Sequence, residues 1–116
     1  MKLVHYKEVR PDPVGEEGAS GVAVRWVISK EDGAPNFSMR VFEVEPGGYS
    51  PRHKHPWEHE VFILEGKGFL IQEEKAVPLS KGDVLFIPPG EEHQLKNSFK
   101  EKLTFICLIP NQPEPE

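Results

Sequence analysis

Residues 47–66 read GGYSPRHKHPWEHEVFILEG and place three of the five histidines of the chain within seven positions. These three are His53, His55 and His59, and a fourth, His93, lies in the later stretch GDVLFIPPGEEHQLKN. Neutral imidazole is the commonest metal ligand in proteins. We therefore interpret the four histidines as parts of one metal site and not as unrelated surface residues.

The spacing of the histidines fits a site that is built from strands. His53 and His55 are two positions apart, so on an extended chain their side chains project from the same face. A bend predicted directly after His55 can return the chain, so that His59, at the head of the next strand, approaches the first pair. His93 has to arrive from a distant strand, which a closed barrel allows.

Turn signals punctuate the whole chain. It contains 12 prolines and 10 glycines, which separate short apolar runs. No segment with helical periodicity is long enough to form a layer, and strands that recur roughly every ten residues between turns predict an all-β sandwich or barrel. The predicted strands cover residues 1–9, 22–28, 37–45, 59–64, 69–73, 76–79, 84–87, 93–96 and 102–109, with a turn at 46–48.

Length and composition limit the class of protein. A chain of 116 residues suits one compact domain, 1–116, and the last stretch, PNQPEPE at 110–116, is expected to be a flexible tail. The net charge of −5 comes without a basic stripe, which argues against nucleic-acid and membrane partners. The start, MKLVHYKEV, lacks the apolar run of a signal peptide, so we expect a cytoplasmic protein.

Two motifs, in order, resemble those of the cupin superfamily of small metal-binding β-barrels. The first, at 47–66, is a glycine, five residues, H-x-H, a further ligand and a glycine. The second, at 82–97, is a glycine, five residues, P-x-G, two residues, a histidine, three residues and an asparagine. The matching positions are Gly47, His53, His55 and Gly66, then Gly82, Pro88, Gly90, His93 and Asn97. The resemblance implies a single-domain cupin fold, the double-stranded β-helix or jelly-roll barrel.

The third ligand of the first motif departs from the family pattern. Most cupins have a glutamate there, whereas this chain offers both His59 and Glu60. Neighbours in a strand point to opposite faces, and since each of the two shares its face with two apolar residues, the alternation leaves both open.

A closer resemblance addresses both the ligand and the metal. The stretches APNFSMRVFEVEPGG and HKHPWEHE are similar to the four-histidine, manganese-binding monocupins of thermophilic bacteria. This resemblance implies His53, His55, His59 and His93 as the ligands of a divalent metal ion, with manganese preferred. Imidazole ligands by themselves also suit Fe, Cu, Ni and Zn.

Four further residues are candidates for the pocket around the metal. Arg40 points either inward among apolar neighbours, where it can orient an anionic group, or lies at the end of its strand and reaches water. Cys107 shares a strand face with Phe105 and is either a small buried hydrophobe, the commoner case, or a catalytic or redox residue. Trp57 either walls the pocket or packs on its rim.

Fold alone does not determine the function of such a chain. Our first hypothesis is a metal-dependent oxidoreductase, dioxygenase-like or using a peroxide, that acts on a small organic molecule. The alternatives are a non-oxidative metal-dependent isomerase or lyase, and a module that binds a small molecule without catalysis. Because cyclic pairs are the commonest oligomers and open sheet edges favour pairing, we also expect a homodimer in contact through its N-terminal strands.

Overall fold

The computed structural model describes residues 1–112 and consists mainly of antiparallel strands. Two single helical turns, Tyr6–Glu8 and Lys30–Asp32, lie near the ends of the second strand. The nine strands are β1 Asp12–Pro13, β2 Ser20–Ile28, β3 Phe37–Tyr49, β4 His59–Glu65, β5 Lys67–Gln72, β6 Lys75–Ser80, β7 Val84–Ile87, β8 Gln94–Lys96 and β9 Leu103–Pro110. The all-β prediction is confirmed.

The strands form one strongly curled sheet whose centre is β3. Its hydrogen-bonded order is β6-β5-β8-β3-β9-β4-β7, and β2 also pairs with β3 and carries β1 on its other side. Residues 37–44 of β3 pair with β9 and residues 39–44 with β2, whereas its last residue, Tyr49, pairs with Ser20 of β2 and with Lys96 of β8. One long strand therefore joins both walls of the barrel and brings the distant halves of the chain together.

Alternation along the strands decides which side chains fill the barrel. Along β4, His59, Val61 and Ile63 are buried, whereas Glu60 and Phe62 between them are exposed. The same period of two, which follows from the pleat, selects the inner face of β9. The buried apolar core consists of Val22, Val44, Val61, Ile63, Leu70, Leu79, Ile87, Leu95, Leu103, Phe105, Cys107 and Ile109.

The strand predicted at the start of the chain is wrong. That segment contains the helical turn Tyr6–Glu8 and crosses the outside of the sheet. Arg25 holds it there, because its guanidinium donates hydrogen bonds to the backbone oxygens of Lys7 (3.2 Å) and Val9 (2.6 Å). The same side chain forms an ion pair with Glu43 at 2.9 Å. Two backbone oxygens of the segment are thus paired with a side chain and not with a neighbouring strand.

The turn predicted at 46–48 is a bend within β3 and does not end the strand. Gly47 has a φ of 81°, a left-handed conformation that glycine adopts without steric cost. Its N–H donates to the backbone oxygen of Asn97 (2.7 Å), and the N–H of Asn97 donates back to Gly48 (2.9 Å). The two motifs of the sequence therefore meet through reciprocal backbone bonds at this bend.

The first residues of the tail predicted at 110–116 are bonded to the barrel. Pro110 ends β9 opposite Phe37, and the N–H of Asn111 donates to the backbone oxygen of Asn36 at 2.9 Å. The side chain of Asn111 also bonds to Ser38 (2.5 Å) and to the backbone oxygen of Ala34 (2.7 Å). These bonds anchor the first residues of the predicted tail, and residues 113–116 lie outside the described part of the chain.

The outer edge of β2 is covered in part by the start of the chain. It pairs with β1 at Ala23 and Val24, and the backbone oxygens of Val22 and Val27 accept hydrogen bonds from the N–H of Val14 (2.9 Å) and from Nζ of Lys2 (2.8 Å). The homodimer expected from the sequence stays a prediction. None of the helices within residues 1–112 has the length and apolar character needed to cross a membrane.

Candidate metal centre

The backbone brings the two histidine-containing stretches side by side. His53 and His93 face each other in an antiparallel bridge, in which the N–H of His53 donates to His93 (3.1 Å) and the N–H of His93 donates back (2.9 Å). One step further, the N–H of Gly90 donates to the backbone oxygen of His55 at 2.6 Å. Three histidines thus reach one end of the barrel through main-chain pairing.

His59 completes the group from the first position of β4. After the bend at Pro56 and Trp57 the chain enters β4 opposite Ile87, with the side chain of His59 directed into the barrel and only 5% exposed. Glu60 points the other way and is exposed. Of the two neighbouring candidates for the third ligand, His59 is the one that lies in the cluster.

The spacing of the four rings suits ligands around one ion. Centroid distances are 4.2 Å for His53–His55, 5.0 Å for His53–His93, 4.9 Å for His59–His93, 5.4 Å for His55–His59 and 6.3 Å for His55–His93. Imidazoles bound at about 2.1 Å to one octahedral ion have centroids about 4.5–5 Å apart at neighbouring positions and about 6.5 Å apart at opposite ones.

The side-chain atoms are not yet directed at a common point. No group of three or more His, Cys, Asp and Glu side chains within residues 1–112 is already arranged to hold a metal ion. The ring spacing is compatible with such a site, because the last side-chain torsion of a histidine has a broad energy minimum and allows the ring to turn. Nε2 of His59 is buried without a hydrogen-bond partner, as a vacant ligand atom would be. The residues therefore fit a divalent ion.

The electrostatic surroundings keep three of the four histidines neutral. Burial is the main cause that lowers the pKa of His53 to about 4 and that of His59 to about 3, and the neighbouring histidines and Arg40 act in the same direction. Burial also lowers the pKa of His55. Glu16 opposes this effect at His53 and His55. At neutral pH these three imidazoles are uncharged, which is the form that binds metals.

The second ring nitrogens have different neighbours. Nδ1 of His93 is 3.0 Å from the backbone oxygen of Glu91, and because a carbonyl only accepts, this nitrogen carries the hydrogen and leaves Nε2 free. Nδ1 of His59 is 3.5 Å from Sγ of Cys107. Nδ1 of His53 is 3.7 Å from a carboxylate oxygen of Glu16, in the loop between β1 and β2.

Arg40 takes the inward orientation that the strand pattern left open. Its Nη2 donates to Sγ of Cys107 at 3.1 Å, and the guanidinium lies 5.3 Å from the ring centroid of Trp26 and 4.8 Å from that of Phe42. Nε is buried without a hydrogen-bond partner. No ion pair within residues 1–112 includes Arg40. A half-buried cation thus lies next to the histidines with spare donor capacity.

The other pocket candidates also line the barrel. Trp57 stacks on His55 with the ring centroids 4.4 Å apart and the planes at 6°, so it supports a candidate ligand directly. Phe105 is buried and stacks on Phe42 at 5.1 Å. Cys107 is buried too, and burial raises the pKa of its thiol, although Arg40 acts in the opposite direction.

Sequence reasoning missed two residues near the site. Glu16 lies in a polar loop, RPDPVGEEGAS, whose composition carries no sign of a neighbouring histidine. Trp26 was predicted within a strand but not near the site; its pairing with Arg40 across β2 and β3 requires the strand register.

Comparison with known proteins agrees with the motifs and the barrel. The family model described as "Cupin domain" matches residues 40–109. The chain belongs to the cupin family. This cupin is 33% identical over 113 residues to the oxalate-binding protein of Thermotoga maritima, with 92% of each chain covered. The predicted cupin barrel is confirmed.

Two solved structures are similar over nearly the whole chain. The polyketide cyclase RemF from Streptomyces resistomycificus is 35% identical with a TM-score of 0.93, covering 99% of this chain and 82% of that one. A Thermotoga maritima structure, described as a predicted oxalate decarboxylase, is 30% identical with a TM-score of 0.83, covering 96% of this chain and 100% of that one.

Proposed function

We propose that this cupin is a metal-dependent enzyme that binds a small organic anion beside its histidine cluster and rearranges it without net oxidation. The observation that carries this proposal is Arg40, a half-buried cation next to four histidines, with a buried Nε that has no partner. A buried charge of this kind is costly unless it is paired. An anionic substrate would supply the missing partner.

Four neutral imidazoles, from His53, His55, His59 and His93, would hold one divalent ion. Manganese is our first choice, and Fe, Cu, Ni and Zn are compatible with the same ligands. Since the ligands carry no charge, the ion would keep its full double charge, and when bound it would polarise a carbonyl oxygen of the substrate. The remaining chemistry has to come from side chains around the cluster.

Arg40 would orient the substrate by its anionic group. A guanidinium offers a planar set of donors that matches a carboxylate, and a partly dehydrated site strengthens this pairing. The guanidinium already lies over the rings of Trp26 and Phe42, which contact it by cation–π interactions. Phe105, stacked on Phe42, adds an apolar wall for the organic part of the molecule.

Glu16 would accept the proton that such a rearrangement moves. Ring closure and isomerisation of carbonyl compounds both begin by removal of a proton next to the carbonyl group, which requires a base within reach. The carboxylate of Glu16 is 3.7 Å from Nδ1 of His53, and its side chain is 64% exposed. It can therefore approach a substrate that enters over the cluster.

Non-oxidative chemistry is our choice because of the names of two similar proteins. One is named as a polyketide cyclase and the other as an oxalate-binding protein, and neither name describes an oxidation. Both names concern molecules rich in carbonyl or carboxylate groups. The oxidoreductase that we expected first from the sequence is kept as an outcome of the test.

The test is exchange of the proton next to a carbonyl group. The chain is purified without a metal-affinity tag and loaded with Mn²⁺, Zn²⁺ or Ni²⁺, and the exchange of pyruvate methyl protons in D₂O is followed by NMR, with and without dioxygen. We expect metal-dependent exchange that is independent of dioxygen. Arg40→Gln should abolish it, whereas Arg52→Gln, which removes an exposed arginine paired with Glu92, should not.

Two results would overturn the proposal. Consumption of dioxygen together with an oxidised product would identify an oxidoreductase. Tight, metal-dependent binding of oxalate, with no exchange of any keto acid tried, would identify a binding module.

A further inference from the structure

A chain of three side chains connects β3, β9 and β4 inside the barrel. Nη2 of Arg40 donates to Sγ of Cys107 at 3.1 Å, and the same sulfur is 3.5 Å from Nδ1 of His59. Strand β9 lies between the other two, with Cys107 opposite Arg40 on one side and opposite Val61 on the other. Cys107 and His59 are 4% and 5% exposed, so water does not compete for these contacts.

The chemistry of the groups gives this chain a direction. A guanidinium has donors and no acceptor, so the sulfur must accept the hydrogen bond from Arg40. On the other side, the ring of His59 can offer a hydrogen on Nδ1 or a lone pair. Nε2 of the same ring is buried without a partner. A hydrogen or a lone pair on Nε2 is unpaired in either tautomer and costs free energy, but only the lone pair could be satisfied by a bound divalent ion.

We propose that Cys107 is a positioning residue for His59: its sulfur accepts the Nδ1–H and thereby holds the ring in the tautomer whose Nε2 lone pair is free. Metal-binding histidines commonly donate their second N–H to a carboxylate or a backbone oxygen. The backbone oxygen of Glu91 accepts such a hydrogen bond from Nδ1 of His93 at 3.0 Å. At His59 the acceptor is the sulfur of Cys107, which also accepts a hydrogen bond from Arg40.

This role differs from both roles considered for Cys107 in the sequence. A small buried hydrophobe would fill space and would not influence the ring nitrogens. A redox or catalytic residue would change its own covalent state. A positioning residue determines which ring nitrogen carries the hydrogen, while its own covalent state stays the same. This effect is visible in the metal-free protein, so the inference does not depend on the proposed function.

The first experiment reads the tautomer directly. The metal-free, ¹⁵N-labelled chain is studied at pH 8, where unperturbed imidazoles are neutral, by long-range ¹H–¹⁵N correlation. We expect His59 as the Nδ1–H tautomer in the wild type and in Cys107→Ser, which keeps an acceptor. Cys107→Ala, almost equal in size to serine, should populate the Nε2–H form. An Nε2–H tautomer in the wild type, or no change in Cys107→Ala, would overturn the inference.

The second experiment measures metal affinity by competition with a chelator. Loss of the partner of a metal-binding histidine typically weakens binding about 10- to 100-fold, and we expect a loss in that range for Cys107→Ala and a smaller one for Cys107→Ser. Ile63→Val trims the core on the strand of His59 without removing a polar atom, and should leave the affinity unchanged. Equal losses in all three variants would indicate a packing effect and overturn the inference.

The two experiments separate this inference from the proposed function. If the wild type binds no divalent ion, the proposed function fails, and the tautomer measurement alone decides the role of Cys107. If the wild type binds the ion and Cys107→Ala keeps the Nδ1–H tautomer, the proposed function stands and the inference fails.

Discussion

His53 and His93 exchange both of their backbone hydrogen bonds, at 3.1 and 2.9 Å, although forty positions separate them in the chain. Such a pair brings the two Cα atoms close and directs both side chains to one face of the sheet. Their ring centroids are 5.0 Å apart as a consequence. The positions of these two proposed ligands are therefore fixed by the main chain.

Metal binding should depend on His59 and not on its neighbour. His59→Ala removes an inward nitrogen, whereas Glu60→Ala changes an exposed side chain on the same strand. We expect His59→Ala to weaken metal binding by more than the roughly 100-fold that loss of a ligand's partner can cost, and Glu60→Ala to have no effect. Elemental analysis and chelator competition measure both. Loss of metal in the glutamate variant would instead assign the site to Glu60.

The stability of the metal-free chain should fall in mild acid. The pKa of His53 is lowered from 6.5 to about 4, and that of His59 from 6.5 to about 3. Below pH 6.5 these two histidines become protonated in the unfolded chain, whereas in the folded chain they stay neutral until the pH approaches 4 and 3. The free energy of unfolding therefore decreases as the pH falls from about 6.5 towards 3. Urea titrations across this range test the slope. His5→Gln, which removes the one histidine outside the cluster, should keep it; a flat profile in the wild type would contradict the prediction.

Turnover should require Glu16. Glu16→Gln keeps the size of the side chain and removes the basic group, and loss of a general base typically lowers the rate about 10²- to 10⁴-fold. The metal content should not change, because Glu16 is not among the proposed ligands. Glu17→Gln, one position further in the same loop, is the matched control and should retain full activity. The measurement is the exchange rate of pyruvate protons, and equal rates in both variants would exclude Glu16 as the base.

Gly66 should tolerate alanine less well than Gly33 does. Both have positive φ angles, 86° and 88°, so alanine is strained at either site. At Gly33 a Cβ meets open space, and we expect only the left-handed penalty of about 1–2 kcal/mol. At Gly66 the Cβ would overlap the backbone oxygen of Lys102 and lie 3.1 Å from Cα of Leu103. Urea unfolding of the two variants should show a clearly larger loss at Gly66; similar losses would mean that the backbone there adapts.

The local pattern of the chain predicted much of the architecture. Strand β7 has the predicted bounds, 84–87, and β4 and β9 differ from their predictions by one residue at an end or at both ends. These strands are short apolar runs between turn residues, and such local signals do not depend on distant contacts. The prediction for the start of the chain failed for the opposite reason. Its MKLVHYKEV pattern is compatible with a strand, but contacts with the distant residues Arg25, Val27 and Asp32 specify where that segment lies.

Local sequence patterns cannot decide between His59 and Glu60 as the residue that faces the interior of the barrel. Alternation places the two side chains on opposite faces and is a local property of any strand. Which face is the inner one depends on the pairing of β4 with β7 and β9, and on the direction in which the whole sheet curls. That information lies in contacts between distant residues, and a pattern with apolar residues on both faces does not contain it.

The histidine cluster depends both on the local sequence pattern and on contacts between distant residues. Residue types and spacing grouped His53, His55 and His93 with either His59 or Glu60, and the family resemblance favoured His59. The sequence did not provide the partners of that group: Cys107 beside His59, Arg40 beside Cys107 and Glu16 beside His53. Side chains that meet across strands have no fixed separation along the chain. Their meeting is a result of strand register and sheet curvature, which arise only when the whole barrel has formed.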